Sequence, residues 1–548
     1  MKSARFLHRL VLCLAIGGSL FLAACGREGA SRPDTGVVQT PAPQPEEERE
    51  DYMKFFEGIE LTESYKGMDH ANPLMTQSFG ADPYAMVYGD RVYIYMTGDA
   101  FEYDGEGKVA ENTYGKISQI RVISTADMVN FTDHGAIQAA SKQGAAVWAR
   151  NSWAPAAAWK EIEGKPQFFL YFADAGGGIG VLQADSPAGP FWDPLGKGLI
   201  TRQTPNCSDV LWLFDPAVLM DDDGRAYLYF GGGVPEGKQS DPGTARVVEL
   251  GEDMISIVGE PQKIDVPYLF EDSGIHKAGG KYFYTYCTNW QVDEAGTAQY
   301  GFRNAEIACM VSDSPMGPFT LQETILKNPG SVFGLYGNNH HCVFQFQENW
   351  YIAYHTRVLE GAMGVEKGYR CTHIDQFAMG EDGVIGTIRQ TLKGRQQLCY
   401  VNPYEENRAA NMAVMGGVEC VPSDEVSKNF GCGNMAVAGI HTGDFIKVQG
   451  VDFGDAGPRE FVVTAKPGAQ KEGVICLRLD GPDGEVIGYV PVDASKGERL
   501  EGTDSEEAAL ANQEFRKYTA MVEQVSGVHD LFFIFYGEGY EIETWQFQ

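Results

Sequence analysis

ADPYAMVYGDRVYIYMTGD, residues 81–99, is the first of five segments that share one pattern. Each begins with a short polar motif, continues as an apolar strand, turns at Gly, Asp or Asn, and returns as an aromatic strand. The later copies begin at Trp153, Asp215, Glu271 and His340. Successive starts are thus roughly 55–70 residues apart, and a strand-only repeat of this size is typical of β-propeller blades. We therefore predict an all-β protein in which residues 61–404 form a five-bladed β-propeller.

A second pair of matching segments supports the repeat. SPAGPF begins at residue 186 and SPMGPF at residue 314, each after a further strand that follows its hairpin. Two near-identical hexapeptides are unlikely to arise by chance. We read each blade as about four strands, and we expect blades two and four to share a turn of the same kind.

The pattern changes after Asn402-Pro403-Tyr404. Residues 405–548 lack the repeat and consist of shorter strand patterns separated by turns. About 140 residues of this kind are typical of two packed antiparallel sheets. The sequence therefore predicts a C-terminal β-sandwich of the jelly-roll type.

The N-terminus has the features of a targeting segment. Lys2, Arg5 and Arg9 precede an apolar run that ends Leu22-Ala23-Ala24-Cys25, which resembles a bacterial lipobox. Residues 1–25 are predicted to be a lipoprotein signal peptide with Cys25 as the lipidated residue, which implies an anchor on the extracellular face of a bacterial membrane. The alternative is an ordinary signal peptide with a chance cysteine. Residues 26–60 are rich in Pro and Glu, and we expect a disordered tether.

The net charge limits the class of partner that the chain can bind, and the cysteine positions indicate their redox state. The chain carries 75 acidic and 43 basic residues, a net charge of −32, which argues against nucleic acid and would repel a polyanionic polysaccharide. A neutral polysaccharide is the easier partner. Scattered cysteines in apolar strands indicate buried single thiols, although Cys420 and Cys432 are a candidate disulfide.

Three of the five segment starts carry carboxylates: Asp82, Asp215 and Glu271. A propeller gathers the starts of its innermost strands around one axis, so these residues are expected to meet at equivalent positions in one pocket. Hydrolysis of a glycosidic bond needs one protonated and one ionised carboxyl group, and a third carboxylate can raise the pKa of the acid. Each Asp-Pro taken alone also suits a turn at a strand start.

The same residues carry a family resemblance. Segment 81–99, Trp153-Ala154-Pro155, FDPAVLMDDDG, FEDSGIHK and GNNHHCVFQFQENWYIAYHTR, in that order, resemble glycoside hydrolase family 43. The closest likeness is to its arabinofuranosidase and arabinoxylan arabinofuranohydrolase branch. The resemblance implies an inverting enzyme with Asp82 as general base, Glu271 as general acid, and Asp215 as the residue that orients Glu271 and raises its pKa.

Further site residues follow from the same resemblance and from their inner positions. His340, and less directly His341, would be the one close protein ligand of a calcium ion on the propeller axis, with water completing the shell. The alternative is a histidine hydrogen-bonded in a crowded channel. No organic cofactor is implied. Trp153, Asn289, Trp290 and Arg357 are candidates to line the sugar subsite, and Asn151 and Phe270 are weaker ones.

The C-terminal region resembles carbohydrate-binding module family 6 through GDFIKVQGVDFGD, ICLRLDGPDGEVIGYVPV, GVHDLFFIFYG and the terminal ETWQFQ. Its usual sugar-binding Asn is absent, because the aligned stretch is Ile542-Glu543-Thr544-Trp545. Phe445, Phe515 and Tyr518 are weak candidates to contact a ligand. Glycan binding and a purely structural role both stay open for this region.

The leading hypothesis is a glycoside hydrolase that removes α-L-arabinofuranosyl groups from arabinoxylan or a related hemicellulose. A β-xylosidase or arabinanase on the same scaffold is the alternative among enzymes. A non-catalytic, glycan-binding surface lipoprotein is the alternative from another class. The retained trio of acids favours an enzyme, because a lectin has no need of all three.

Overall fold

The computed structural model describes residues 46–468, 473–500 and 514–548. Five antiparallel sheets in succession form the propeller, with four, three, four, four and three strands of their own. Blade one contains β1 (Ala81–Tyr88), β2 (Arg91–Thr97), β3 (Gln119–Thr125) and β4 (Phe131–Gln138). Blade two contains β5 (Trp153–Ile162), β6 (Lys165–Ala173) and β7 (Ile179–Ala184). Blade three contains β8 (Ala217–Met220), β9 (Ala226–Phe230), β10 (Ala245–Leu250) and β11 (Ile257–Ile264).

Blade four contains β12 (Leu269–Ala278), β13 (Lys281–Thr288), β14 (Ile307–Ser312) and β15 (Thr320–Leu326). Blade five contains β16 (His341–Phe346), β17 (Asn349–Thr356) and β18 (Cys371–Phe377). The predicted five-bladed propeller is therefore confirmed, although blades two and five have three strands rather than four. The short helices are α1 (Glu46–Phe56), α2 (Glu294–Tyr300), α3 (Gly330–Phe333), α4 (Val358–Ala362) and α5 (Glu425–Phe430), with one 3₁₀ turn at Glu381–Gly383.

Buried tyrosines join neighbouring blades. Tyr95 on β2 donates its hydroxyl proton to the carbonyl of Pro187, at 2.6 Å, and Tyr229 on β9 does the same to Pro315, at 2.7 Å. Pro187 and Pro315 are the second residues of the two matching hexapeptides. Each hexapeptide therefore accepts a hydrogen bond from a tyrosine of the preceding blade. The repeated motif thus links neighbouring blades.

The C-terminal region is the predicted β-sandwich. One sheet runs β22-β23-β31-β25-β29-β28 with β19 beside β31, and the other runs β21-β24-β30-β26-β27. The sandwich strands are β19 (Asn407–Arg408), β21 (Val414–Gly416), β22 (Glu419–Pro422), β23 (Met435–Ala438), β24 (Phe445–Asp452), β25 (Glu460–Lys466), β26 (Gly473–Leu479), β27 (Val486–Val492), β28 (Glu498–Arg499), β29 (Arg516–Met521), β30 (Val528–Tyr536) and β31 (Glu541–Phe547), while β20 (Asn411–Met412) belongs to the sheet of blade one. Facing apolar side chains such as Phe461, Phe533 and Trp545 form its core.

The two regions interlock across their boundary. Strand β20 follows the propeller in the chain, yet it pairs with β4 of blade one through Asn411 opposite Thr132. Asn130 and Gln449 exchange two hydrogen bonds, in which the Asn130 amide donates to the Gln449 carbonyl at 2.9 Å and the Gln449 N–H donates back at 2.8 Å. The sandwich is thus fastened to blade one by backbone as well as side-chain bonds.

The expected tether at residues 26–60 is wrong for its second half. Residues 46–56 form α1, and Phe56 at its end is buried against the outer face of the five-stranded sandwich sheet. Phe55 stacks on Tyr536 with ring centroids 4.5 Å apart. Tyr52, Phe55 and Phe56 form this contact with the sandwich. The sequence prediction missed it because it relied on the acidic composition of the whole segment. The signal peptide, Cys25 and residues 26–45 lie outside the described residues, and none of the described helices is long and apolar enough to cross a membrane.

The candidate disulfide between Cys420 and Cys432 is also wrong. All nine cysteines in the described part of the chain are free thiols. Cys420 lies on β22 opposite Val437, whereas Cys432 pairs through its backbone with Gly135 of blade one. The two cysteines therefore pack in different places. Cys287, Cys309, Cys342 and Cys476 are buried single thiols, as the strand patterns predicted.

Candidate active site

The innermost strands of four blades carry the same backbone distortion close to their starts. Asp82, Ala154, Asp215 and Asp272 have positive φ angles of 47°, 42°, 49° and 69°. Asp is among the residues that adopt this left-handed conformation most readily. In blades one, two and four the strand pairing is irregular immediately around this residue, as in a β-bulge. The distortion turns the first side chains of each strand toward the propeller axis.

Glu271 is one residue out of step with the two aspartates. It occupies the place before the left-handed residue, as Ala81 does in blade one and Trp153 in blade two. The residue equivalent to Asp82 and Asp215 is Asp272. The expectation that the three acids occupy equivalent positions is therefore wrong by one residue, although all three line the same pocket.

That pocket has a volume of about 530 Å³. Its wall combines six aromatic side chains with three buried acids. It is lined by Asp82, Tyr114, Trp153, Gly176, Trp212, Phe214, Asp215, Phe270, Glu271, Trp290, Asn338, His340 and Arg370. A concave site with apolar walls and a few convergent polar groups is the usual form of a small-ligand site.

Asp82 is held as a carboxylate. Arg370 donates from Nη1 to its Oδ1 at 2.9 Å, and His355 Nδ1 lies 3.1 Å from both the backbone N and Oδ1 of Asp82. The carbonyl of Asn338 accepts from His355 Nε2 at 2.9 Å, so Nε2 carries a proton. Burial alone would raise the pKa of Asp82, but the charge of Arg370 and the contact with His355 together lower it far below its usual range.

Arg370 is the important residue that the sequence interpretation missed. Its Nε and Nη2 donate hydrogen bonds to the two carboxylate oxygens of buried Asp99, at 2.9 and 2.8 Å. Its guanidinium lies over the Tyr114 ring, 4.8 Å from the ring centroid. Although burial opposes its charge, Asp82 and Asp99 raise the pKa of Arg370. Arg370 immediately precedes β18, so the one available signal was a lone arginine at the start of an alternating strand, KGYRCTHIDQF.

Asp215 sits on a network that reaches blade five. Its Oδ2 accepts the backbone N–H of Asp272 at 2.9 Å. The Asp272 carboxylate in turn meets His341 Nδ1 at 2.5 Å, and His341 Nε2 meets the Thr285 hydroxyl at 2.7 Å. Both nitrogens of His341 are thereby engaged. Burial first, and then the charge of Asp82, raise the pKa of Asp215.

Glu271 is the best place for a proton. Burial raises its pKa well above the usual value, and the charges of Asp215 and Asp82 raise it further. The pKa values of Asp215 and Glu271 are both raised, so the two carboxyl groups compete for a proton. Asp215 accepts a backbone hydrogen bond that favours its ionised form, whereas Oε1 of Glu271 is buried without a hydrogen-bond partner among the described residues. The shared proton is therefore best held by Glu271, whose carboxyl lines the pocket.

His340 lies between the acids. Its Nε2 is 3.2 Å from Asp272 Oδ1, and its Nδ1 is 3.6 Å from Asp82 Oδ1 and 3.8 Å from Asp215 Oδ2. Ca²⁺ prefers six to eight oxygen ligands, but the described residues contain no cluster of three or more His, Cys, Asp or Glu side chains suited to a metal. The donors at hand, His340 and Asp272, fit only an ion whose shell is mostly water. His341 is not a candidate, because both of its nitrogens are hydrogen-bonded.

The remaining predicted sugar contacts divide into two groups. Trp153, Trp290 and Phe270 line the pocket. Asn289 does not, because its amide donates to the Gln239 carbonyl and its side-chain oxygen accepts from Gln291 N–H. Arg357 pairs with buried Glu360 and donates to the Tyr336 carbonyl. The structure therefore does not bring these two residues into the pocket lining, and the amide of the weaker candidate Asn151 likewise donates to three backbone carbonyls.

The second-region candidates are mostly core residues. Phe445 is fully buried beneath the α1 side of the sandwich, and Tyr518 is buried in the core between its sheets. Neither ring is available to stack on a ligand, so both predictions are wrong. Phe515 is half-buried. Glu543, in the stretch that lacks the sugar-binding Asn, accepts from the Ser423 hydroxyl at 2.7 Å, which is a structural contact.

Comparison with known proteins agrees with this description. Residues 70–385 match the family model described as glycosyl hydrolases family 43, and residues 408–548 match carbohydrate binding module (family 6). An arabinoxylan arabinofuranohydrolase of Paenibacillus polymyxa is 44% identical over 87% of this chain and 74% of its own length. One of Bacillus subtilis (strain 168) is 43% identical over 88% of this chain and 93% of its own.

A solved structure shows the same likeness in three dimensions. The crystal structure of a glycoside hydrolase family 43 arabinoxylan arabinofuranohydrolase from Bacillus subtilis, in complex with cellotetraose, superposes with a TM-score of 0.80. It is 43% identical, and the match covers 88% of this chain and 98% of that one. The similarity thus extends over both the propeller and the sandwich.

Proposed function

The chain belongs to glycosyl hydrolases family 43, and on that premise we propose that it removes α-L-arabinofuranosyl groups from arabinoxylan or a related hemicellulose. Two relatives of 43–44% identity that carry the name arabinoxylan arabinofuranohydrolase support this substrate. The aromatic pocket suits a neutral sugar, and the net charge of −32 disfavours a polyanion. The observation that carries the proposal is the opposite shift of two pKa values in one pocket, lowered at Asp82 and raised at Glu271.

These shifts assign the chemical steps. Glu271 transfers its proton to the glycosidic oxygen as the bond from that oxygen to the anomeric carbon breaks. Asp82, ionised and opposite, takes a proton from a water whose oxygen attacks the same carbon from the other face. The sugar leaves with inverted configuration, Asp82 protonated and Glu271 ionised, and proton exchange with solvent restores both. The ionised Asp215 raises the pKa of Glu271, so Glu271 stays protonated until it transfers its proton to the leaving oxygen.

The test compares Glu271→Gln with Glu161→Gln, which changes an exposed glutamate at the end of β5 in blade two. We expect Glu271→Gln to slow the release of arabinose from arabinoxylan about 10²–10⁴-fold, and Glu161→Gln to match the wild type. NMR of the first-formed anomer reports inversion. A wild-type enzyme that cleaves aryl β-xyloside or linear arabinan in preference to arabinoxylan would assign one of those activities instead. A wild type that binds these glycans and hydrolyses none of them would be a lectin.

Calcium binding beside His340 is a further part of the proposal. His340 and Asp272 would be its protein contacts, and a bound cation would supply positive charge next to the carboxylates. Metal analysis of the purified protein after dialysis checks it. We expect about one calcium per chain in the wild type and a clear loss in His340→Ala. Equal calcium content in both proteins contradicts the assignment.

The N-terminal sequence supports a location, which we likewise propose. Lipid attachment at Cys25 would hold the enzyme on the extracellular face of a bacterial membrane, next to polymeric substrate. Expression of the full chain with Cys25→Ala should move the enzyme from the membrane fraction to the soluble fraction. An unchanged distribution would argue for a signal peptide without a lipid anchor.

A further inference from the structure

We propose that the propeller carries a second carbohydrate site, which we call the basal groove, and that it holds an unbranched stretch of neutral hemicellulose chain. The groove has a volume of about 1110 Å³. Its walls come from the turn between β16 and β17, the end of β18, the segment from Lys393 to Gln397, and Gln449 of the sandwich. The ligand class rests on the polysaccharide substrate proposed above, but the site is separate from the catalytic pocket.

The groove lies at the far end of the propeller axis from the acids. Strand β16 begins at His341, beside the catalytic pocket, and ends at Phe346. A strand of six residues spans about 20 Å, and the turn that follows, Glu348-Asn349, lines the groove. A glycan in the groove would therefore not occupy the catalytic pocket.

The polar groups of the groove suit a ligand rich in hydroxyl groups. Five side-chain amides line it, namely Asn349, Gln376, Gln396, Gln397 and Gln449. An amide both donates and accepts, which matches the two roles of a sugar hydroxyl. Gln376 already donates to Asn349 at 2.9 Å, so two of these amides are held side by side.

The charges of the groove are balanced. Asp69 and Glu348 face Lys393 and Arg395, two of each sign. In a chain with net charge −32 this balance is notable, and it gives no net attraction for a polyanion or a polycation. A neutral ligand is the class that this lining accepts.

One further feature points to a bound ring. Trp350 is half-buried in the groove wall, and an indole that is partly exposed offers the flat apolar surface on which a sugar ring packs.

The test uses the full chain with Gln376→Ala and Gln396→Ala together, since both residues are exposed and neither touches the acids. The matched control is Gln143→Ala with Gln262→Ala, two exposed amides outside both sites. Binding is measured by titration calorimetry with linear xylo-oligosaccharides and by retardation in native gels that contain arabinoxylan. Turnover of aryl α-L-arabinofuranoside, which needs only the catalytic pocket, is measured in parallel.

We expect the groove variant to bind linear chains about tenfold more weakly, from the loss of two hydrogen-bonding side chains, with aryl arabinofuranoside turnover unchanged. The control should behave as the wild type. Equal affinity in the groove variant and the wild type overturns the proposal, as does stronger retardation by polygalacturonate than by arabinoxylan. A wild type that turns over the aryl substrate but binds no linear chain refutes the groove alone, whereas absence of turnover on any substrate refutes the proposed function.

Discussion

Asp82 and Asp215 adopt a left-handed backbone that costs most residues about 1–2 kcal/mol. Asp accepts it more readily than most, because its short side chain can hydrogen-bond locally. In this conformation Asp82 N–H reaches His355 and Asp215 Oδ2 reaches Asp272 N–H. The strain at these residues is therefore tied to the contacts that fix the two carboxylates.

Arg370 is expected to set the acidic limit of activity. Its charge lowers the pKa of Asp82, so Arg370→Gln should raise that pKa and move the acidic limb of kcat/KM upward by about 1 pH unit or more. The matched control is Arg357→Gln, because Arg357 contacts Glu360 and Tyr336 outside the pocket. The pH dependence of kcat/KM checks this, and an unmoved acidic limb in Arg370→Gln would refute it.

The raised pKa of Glu271 should lower the free energy of unfolding at neutral pH. Its pKa is raised in the folded protein, so the folded state keeps a proton that the unfolded chain releases above about pH 4.3. The contribution of Glu271 to the free energy of unfolding is therefore largest below that pH. It decreases as the pH rises toward the pKa of Glu271 in the folded protein. Glu271→Gln should gain about 1.4 kcal/mol over the wild type for each pH unit within that window.

Thermal unfolding of Glu271→Gln at pH 4, 5.5 and 7 measures this effect. The melting temperature difference from wild type should grow with pH, while that of the exposed Glu161→Gln stays near zero. A difference that is constant or shrinks with pH would mean that the folded-state pKa of Glu271 is not raised.

The acids were predictable from sequence, whereas their supports were not. Asp82, Asp215 and Glu271 each open a recognisable repeat, so their meeting in one pocket follows from propeller geometry. Arg370 and His355 contact Asp82 from 288 and 273 positions later in the chain, by hydrogen bonds that no local pattern encodes. The absence of Asn289 from the pocket lining has the same cause, since its amide partner Gln239 belongs to another blade.

At the scale of elements, period and alternation were sufficient for the five hairpins, because each strand follows apolar alternation and ends at a Gly, Asp or Asn turn. The absence of a fourth strand in blades two and five was not predictable, since the outermost strand contributes least to the buried core. Helix α1 was hidden for a different reason. Its sequence EEEREDYMKFF is mostly charged, and only tertiary packing of its aromatic residues stabilises it.

Phe56 should anchor α1 and the outer face of the sandwich together. Its side chain is 5% exposed and packs in a cluster with Tyr489 and Phe532. Phe56→Ala should reduce the free energy of unfolding by about 3–4 kcal/mol. Met53→Ala, on the same helix but 48% exposed, should change it by less than about 0.5 kcal/mol. Chemical denaturation measures both, and a similar effect of the two substitutions would mean that α1 is not docked.

At the scale of the whole molecule, the propeller and the sandwich should unfold together. They share the β4–β20 pairing and the reciprocal bonds between Asn130 and Gln449. Trp545→Ala, in the sandwich core, should therefore lower the temperature at which the distant active site loses activity, in step with unfolding. Val528→Ala, which is exposed on the same sandwich, is the control. Calorimetry with two separate transitions, or activity unaffected by Trp545→Ala, would show independent domains.

The pairing of β20 with β4 also has a consequence for the order of events during synthesis. Blade one is translated first, but the strand that covers its outer edge arrives only with Asn411 and Met412. Until the ribosome has added them, the backbone groups of β4 are left open to other strands. Blade one therefore keeps an open outer edge while the other four blades emerge, and that edge is covered only after the last strand of the propeller has been made.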